Sequence, residues 1–442
     1  MTRLLITNIG LLAGIDQGKP CLRGAEMARM ETLRDAWLLC EDGRIKDFGT
    51  GPAPLSFPLG GKPCAQEASP TGGGLDGASL SPQGESEGAS LLDAQGGTVL
   101  PAFCDAHTHL VYAGSREGEF VDKIRGLSYA EIARRGGGIL NSADRLHAMG
   151  EDELYEQAMQ RIDEIVRKGT GAVEIKSGYG LNTDDELKML RVIRRIRQSA
   201  PLCVKSTFLG AHAVGRKFQG RQSDYVDMVV NEMIPEVGRQ QLADFIDVFC
   251  DEGFFTPEET ARILEAGARW GMRPKIHAQE LADFGGVAVA VSHDALSVDH
   301  LESMTDRDIE LLRSGTTIPT ALPGTSFFLN MPYAPARKML AAALPLAIAS
   351  DYNPGSTPSG DMKFVVSLGC IKLRLTPAEA LNAATLNAAA AMGVGDQLGS
   401  IARGKVANLI LTHPIPSLDY IPYAYTTPIV RETILRGRRV EK

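Results

Sequence analysis

The sequence predicts an α/β protein: a (β/α)8 TIM barrel carrying a small β-sandwich-like domain built from both termini. Three observations predict it. Between residues 98 and 395, eight short apolar runs alternate with helical stretches, and such alternation implies a parallel sheet. The text at both ends of the chain is β-like. The 442 residues are too many for one small domain and enough for a full barrel plus a smaller module.

Taken in order, Leu4-Leu5-Ile6 and Ala36–Cys40 read as strands, the second closing at the turn signal Glu41-Asp42-Gly43. Residues 51–97 are rich in Gly, Ser, Pro and Ala without an apolar period, which predicts a flexible low-complexity insertion within an N-terminal β region, 1–97. The barrel is expected over 98–395. Its candidate strands are Val99–Asp105, Ala172–Lys176, Cys203–Leu209, Phe245–Cys250, Pro274–His277, Ala295–Asp299, Thr316–Thr320 and Leu346–Ser350. Leu154, Ala158, Ile162 and Ile165 share one helical face. Thr256-Pro257-Glu258-Glu259 and Thr376-Pro377-Ala378-Glu379 combine an N-cap, a proline at the first helical position and a capping-box glutamate; Thr183 with Glu186 reads as a third box. Beyond Gly395, Gly399-Ser400-Ile401, Gly404 and Val406–Leu411 read as a hairpin, the C-terminal part (396–442) of the β domain.

A hydrophobic content of 44% and a charged content of 23% are those of an ordinary globular protein. A chain this long buries a large core without staples, so a bound metal would be chemical rather than structural. The net charge of −8 argues against nucleic acid and anionic membrane as partners, although one local arginine can still hold an anionic small molecule. The seven cysteines, Cys21, Cys40, Cys64, Cys104, Cys203, Cys250 and Cys370, are odd in number and include no CxxC. They suggest neither a disulfide framework nor a cysteine zinc site. The opening MTRLLITNIGLLAGI, interrupted by Thr7 and Asn8, reads as a strand rather than a signal peptide. No run of about 18 apolar residues occurs. The expected compartment is the cytoplasm.

His107-Thr108-His109 ends the first barrel strand. Side chains two apart on a strand share a face, so both imidazoles point into the barrel mouth. Neutral imidazole is a common ligand for zinc-like ions. An isolated HxH reads equally well as two polar residues in a turn. His277, His300 and Asp351 strengthen the metal reading, because each falls at the C-terminal end of a candidate strand (the fifth, sixth and eighth), the face on which barrel active sites lie. His147, His293 and His413 fall elsewhere and receive no role.

The segment AFCDAHTHL resembles the first-strand motif of the amidohydrolase superfamily. That resemblance implies that His107, His109 and His277 bind a metal together with Asp351, and that His300 is catalytic. Members with two metals bridge them with a modified lysine at the end of strand four. Here that strand ends Cys250-Asp251-Glu252, which points to one ion, Zn2+ or Fe3+/Fe2+. Within the superfamily the chain resembles the imidazolonepropionase family through HTHLVYAGSREGEF (His107–Phe120), EIKSGYGL (Glu174–Leu181), FLGAHAV (Phe208–Val214), KIHAQEL (Lys275–Leu281), SVDHLE (Ser297–Glu302) and SDYNPGSTP (Ser350–Pro358). The resemblance implies substrate contacts from Arg116, Tyr179, His212 and Glu280, and substrate or product contacts from Asn353, Gly355 and Ser356. It is also compatible with a homodimer.

Elementary chemistry is compatible with these roles. Arg116 offers a planar fork for a carboxylate, or an ordinary surface ion pair. Tyr179 sits in a Gly-flanked loop, as a binding residue or as a packed aromatic. His212 could donate a hydrogen bond to substrate or cap a loop. Glu280 could carry a proton or pair with a cation. Asn353-Pro354-Gly355 is also a plain turn signal. The implied reaction is hydrolysis of 4-imidazolone-5-propanoate to N-formimidoyl-L-glutamate in histidine degradation, with His300, Asp351 and Glu280 serving the proton steps and metal-activated water the attack. Two other classes stay open. One is a metal-dependent nucleobase deaminase or other cyclic amidohydrolase, for which a carboxylate clamp is superfluous. The other is a non-catalytic barrel scaffold, against which the full ligand set argues.

Overall fold

The computed structural model describes residues 2–53, 90–127, 131 and 137–441. Its strands are β1 (Arg3–Ile15), β2 (Glu31–Glu41), β3 (Arg44–Thr50), β4 (Ser90–Asp93), β5 (Thr98–Pro101), β6 (Phe103–Thr108), β7 (Thr170–Lys176), β8 (Cys203–Ala211), β9 (Phe245–Cys250), β10 (Arg273–Ala278), β11 (Ser297–His300), β12 (Ile318–Ala321), β13 (Ala347–Ile348), β14 (Leu409–Thr412), β15 (Val430–Leu435) and β16 (Arg438–Arg439). Strands β6 to β13 pair in sequence order as one parallel sheet. A parallel bridge between Thr108 and Tyr352 draws its two edges together; Asp351 N–H donates to the His107 carbonyl (3.0 Å) and His109 N–H to that of Tyr352 (2.9 Å). The seam of the barrel therefore lies among the candidate ligands and holds the first and last strand ends in register.

The second sheet is mixed and comes from both ends of the chain, in the order β16-β15-β14-β5-β1-β2-β3 with β4 beside β1. Its apolar face, including Ile6, Ile9, Leu12, Leu38, Leu409 and Leu411, forms a core of its own. The run anticipated as one strand over Val99–Asp105 is two strands in two sheets. β5 pairs with β1 and β14, and the chain crosses at Ala102 into β6 of the barrel. Both strands are buried along their whole length, so the apolar text continues through the junction without a change of period. The anticipated C-terminal hairpin is also different. Ile401 and Val406 make single bridges to Ile15 and Arg44, and the paired strand, β14, lies between β5 and β15. Over 54–89 the segment expected to be a flexible insertion lies outside the described residues; within its C-terminal part, Ser90–Asp93 runs parallel to β1.

The helix Glu151–Arg167 buries Leu154, Ala158, Ile162 and Ile165. Both proline-containing capping boxes form, at Thr256 and at Thr376. The third does not. Asn182 caps the helix Thr183–Ser199 by accepting from Asp185 N–H (3.0 Å), and Glu186 turns inward instead. Its carboxylate accepts the N–H groups of Gly178 (3.1 Å), Gly180 (2.7 Å) and Leu181 (3.0 Å), three donors of the loop that carries Tyr179. Without it these buried donors would be unpaired, at a cost of about 1–3 kcal/mol each. No helix among the described residues is long and apolar enough to cross a membrane, and the described cysteines are all free.

Candidate active site

His107, His109 and His277 are the one group of three or more such ligands among the described residues whose donor atoms all lie within 4.8 Å of each other. All three are buried. Asp351 Oδ1 lies 3.6 Å from His107 Nε2 and 3.6 Å from His109 Nε2. Donor atoms about 2.0–2.2 Å from a shared ion stand at most roughly 4.4 Å apart, so this spacing would suit an ion between them. His107 Nε2 and His277 Nε2 are buried without a hydrogen-bond partner, which is costly unless something else occupies their lone pairs. The donor chemistry is also right. Burial, then the nearby Lys176 and His277, holds His107 well below the ordinary imidazole value; burial, then His212 and His277, does the same to His109. Both rings are neutral, the form that ligates metal.

Behind these rings lies a buried charge network that orients them. His107 Nδ1 donates to Asp299 Oδ2 at 2.7 Å, and His277 Nδ1 lies 3.0 Å from Asp247 Oδ2. Asp299 in this place fixes the tautomer that leaves His107 Nε2 free and raises its basicity, and the Asp247 carboxylate puts its negative charge beside His277. Lys176 ties the two carboxylates together, with Nζ 2.7 Å from Asp247, 3.6 Å from Asp299 and 2.7 Å from Glu174; Lys275 pairs with the other oxygen of Glu174. Burial opposes the charge on Asp247, yet His277 and Lys176 hold its carboxyl well below the usual range. Asp351 is prepared in the same way: Thr325 (2.6 Å) and Ser356 (3.1 Å) donate to Oδ2 and leave Oδ1 facing the imidazoles. His300 (φ 83°) and Asp351 (φ 55°) both bend through the left-handed region at strand ends, a costly conformation that aims their side chains into the mouth.

Above the group opens a cavity of about 660 Å³. Its walls bring together His109, His277, His300, Asp351, Arg116, Tyr179, His212, Glu280, Asn353, Gly355 and Ser356, while His107 lies behind it. His300 Nε2 is 3.5 Å from Glu280 Oε2, and its Nδ1 is 3.6 Å from Glu302 Oε2. Burial opposes the His300 cation, but Glu280 and Glu302 push its pKa up to about 10. Burial raises Glu280 to about 7, against the pull of His300.

Three of these residues also show the other role the sequence allowed them. His212 caps the loop that carries Tyr179. Its Nδ1 lies 3.0 Å from the Gly178 carbonyl, which only accepts, so Nδ1 carries the proton. Burial, then His277, lowers its pKa to about 3, so the ring is neutral and its Nε2 is an acceptor. Arg116 gives two N–H groups to Glu119 Oε2, at 2.9 and 2.6 Å. Asn353 spends its side chain on its own loop: Oδ1 accepts Gly355 and Ser356 N–H, and Nδ2 donates to the Asp351 carbonyl. Its effect is to place Ser356 against Asp351 and Gly355 against Arg116, where a Cβ on Gly355 would collide with the guanidinium.

Sequence reasoning missed Asp247, Asp299, Glu302 and Lys123. The signal for the first two was present: a carboxylate inside an apolar strand, as in FIDVFC and SVDH, must find a partner within the barrel. Lys123 carried no such signal; only the fold turns it toward the cavity.

The fold and this site define a class, and the chain belongs to it: it matches the amidohydrolase family over residues 98–440. A crystal structure of a single-site mutant of atrazine chlorohydrolase from Arthrobacter aurescens TC1, complexed with zinc and atraton, shares the fold with a TM-score of 0.70 at 15% identity, covering 99% of this chain and 95% of that one. Within that class the chain is a member of the imidazolonepropionase family. It is 48% identical to imidazolonepropionase of Christiangramia forsetii over 438 residues, 99% of this chain and all of that protein. It is 47% identical to that of Flavobacterium johnsoniae over 435 residues, 98% of this chain and 99% of its relative. The protein is thus a hydrolase.

Proposed function

We propose that the protein opens the ring of 4-imidazolone-5-propanoate by hydrolysis, giving N-formimidoyl-L-glutamate. The observation that carries this reading is that one cavity has the His109–His277–Asp351 cluster on its floor and the cations Arg116 and Lys123 in its wall. A ring carbonyl and a carboxylate on the same small molecule would meet both.

In this reading His107, His109, His277 and Asp351 hold one ion, Zn2+ by preference for three imidazoles and a carboxylate, with Fe2+ or Fe3+ the other ions such donors take. When bound, that ion lowers the pKa of water from about 15.7 to about 7 and polarises the carbonyl. The side chains do the rest. His300, held cationic by Glu280 and Glu302, stabilises negative charge developing on the carbonyl oxygen. Glu280, whose carboxyl burial raises above the usual carboxylate range, takes a proton and delivers it to the leaving ring nitrogen. Asp351 orients the attacking water through Oδ1. Arg116 and Tyr179 hold the propanoate end, and the neutral His212 accepts a ring N–H through Nε2. The proposed setting is the cytoplasm, with a homodimer as the assembly.

The test is to generate 4-imidazolone-5-propanoate in the cuvette with urocanase and follow its ultraviolet absorbance after adding the protein. Accelerated loss that a chelator abolishes and Zn2+ or iron restores supports the reading. No loss with folded, metal-loaded protein refutes it and redirects the search to nucleobases, where ammonia release would be the sign.

A further inference from the structure

Arg116 and Lys123 lie seven residues apart at the two ends of the helix Glu117–Ile124 and both line the cavity, yet their charges are used differently. Two N–H groups of Arg116 go to Glu119 Oε2, and Glu119 Oε1 is taken by Gly138 N–H (3.1 Å) and Asn141 Nδ2 (3.0 Å). The Arg116–Glu119 pair is therefore formally neutral and tied down on both sides. Lys123 has no carboxylate within ion-pair distance among the described residues. Its ammonium donates to the Gly355 carbonyl at 3.1 Å and stands 5.7 Å from the centre of the Phe328 ring. A surface lysine normally extends its head into water. This one folds its head inward against the loop that carries Ser356 and Asp351, and burial, then the neighbouring Arg116, lowers its pKa. A half-buried ammonium that no described carboxylate pairs, with Glu119 held by Arg116, is unfavourable until an anion arrives.

We infer that Lys123 supplies the net positive charge that captures the substrate's carboxylate, while the neutralised Arg116–Glu119 pair supplies the geometry. The inference rests on the proposed function for the identity of the substrate, but the charge argument concerns any small carboxylate in this cavity. Because Lys123 also holds Gly355, capture and the placement of the Asp351 loop are joined in one side chain. Lys123 is a specificity residue here, not a catalytic one.

The experiment uses full-length, metal-loaded protein and two readouts. The first is calorimetric titration with 3-(imidazol-4-yl)propanoate and with the neutral 4-ethylimidazole. Wild type should prefer the propanoate by about tenfold or more, K123Q should lose that preference, and K123R should keep most of it. The second is turnover of 4-imidazolone-5-propanoate, where K123Q should raise KM by about 10- to 100-fold and lower kcat far less. A wild type indifferent to the carboxylate, or a K123Q protein that retains the preference, overturns the inference. If wild type binds the propanoate selectively but does not turn over the imidazolone, the proposed reaction falls and the Lys123 site stands.

Discussion

Asp299→Asn is the most discriminating perturbation of the metal site, because it changes charge and almost nothing in shape. Asp299 Oδ2 accepts from His107 Nδ1 at 2.7 Å, Oδ1 accepts from Ser297 Oγ at 2.6 Å, and Lys176 Nζ lies 3.6 Å away. An asparagine oxygen can still accept from Nδ1, so the ring keeps its orientation. What is lost is the negative charge that makes Nε2 a better donor. The network of Glu174, Asp247 and Asp299 against Lys176 and Lys275 carries a formal net charge of −1, from three carboxylates and two ammoniums; the substitution makes it zero. Lys176 keeps Glu174 and Asp247 at 2.7 Å each, so the barrel should remain folded. Outer carboxylates of this kind are worth about 10- to 100-fold in metal affinity, or about 1.4 to 2.7 kcal/mol. The assay is competition for Zn2+ between metal-free protein and a chromophoric chelator at neutral pH. An affinity equal to wild type in a folded D299N protein would refute the argument that this network tunes the ligands.

The other predictions follow from the same geometry. E186A removes the acceptor for three loop N–H groups and should cost on the order of 3 kcal/mol in denaturant unfolding, with a raised KM from a loosened Tyr179; a loss below a few tenths would show the loop holds itself. His212 has a folded pKa of about 3, lower than the roughly 6.5 of a free imidazole, so between those values the unfolded chain binds more protons. Stability should therefore rise with pH across that window and fall on acidification, and H212N should flatten the slope; equal slopes would contradict a neutral buried ring. R116A should mainly raise KM, and H300A should mainly lower kcat, because in the proposed reading one holds the distant carboxylate and the other the reacting carbonyl. Matching effects on both parameters would dissolve that division of labour.

Much of the catalytic end was readable because it is written in local periodicities. The strand alternation places His107 and His109 on one face, and the order of strand-ending polar residues places His277, His300 and Asp351 on the same rim. The split of residues 98–105 between two sheets was not readable, because strands buried on both faces carry no alternation to mark a boundary. The cap at Asn182 was misread as one at Thr183 for a related reason: two adjacent residues can both cap, and the choice depended on loop donors that only Glu186 could satisfy.

What the sequence by itself determined is therefore the barrel, its order and the residue types at its mouth, since those follow from patterns a few residues long. The tertiary structure alone decided which charges are spent and which are free. His107 meets Asp299 across 192 residues, Lys275 meets Glu174 across 101, and Lys123 meets the Gly355 carbonyl across 232. Pairings over such separations leave no local period. They are selected when the barrel closes, because a buried charge must then find its partner or wait for a ligand to supply one.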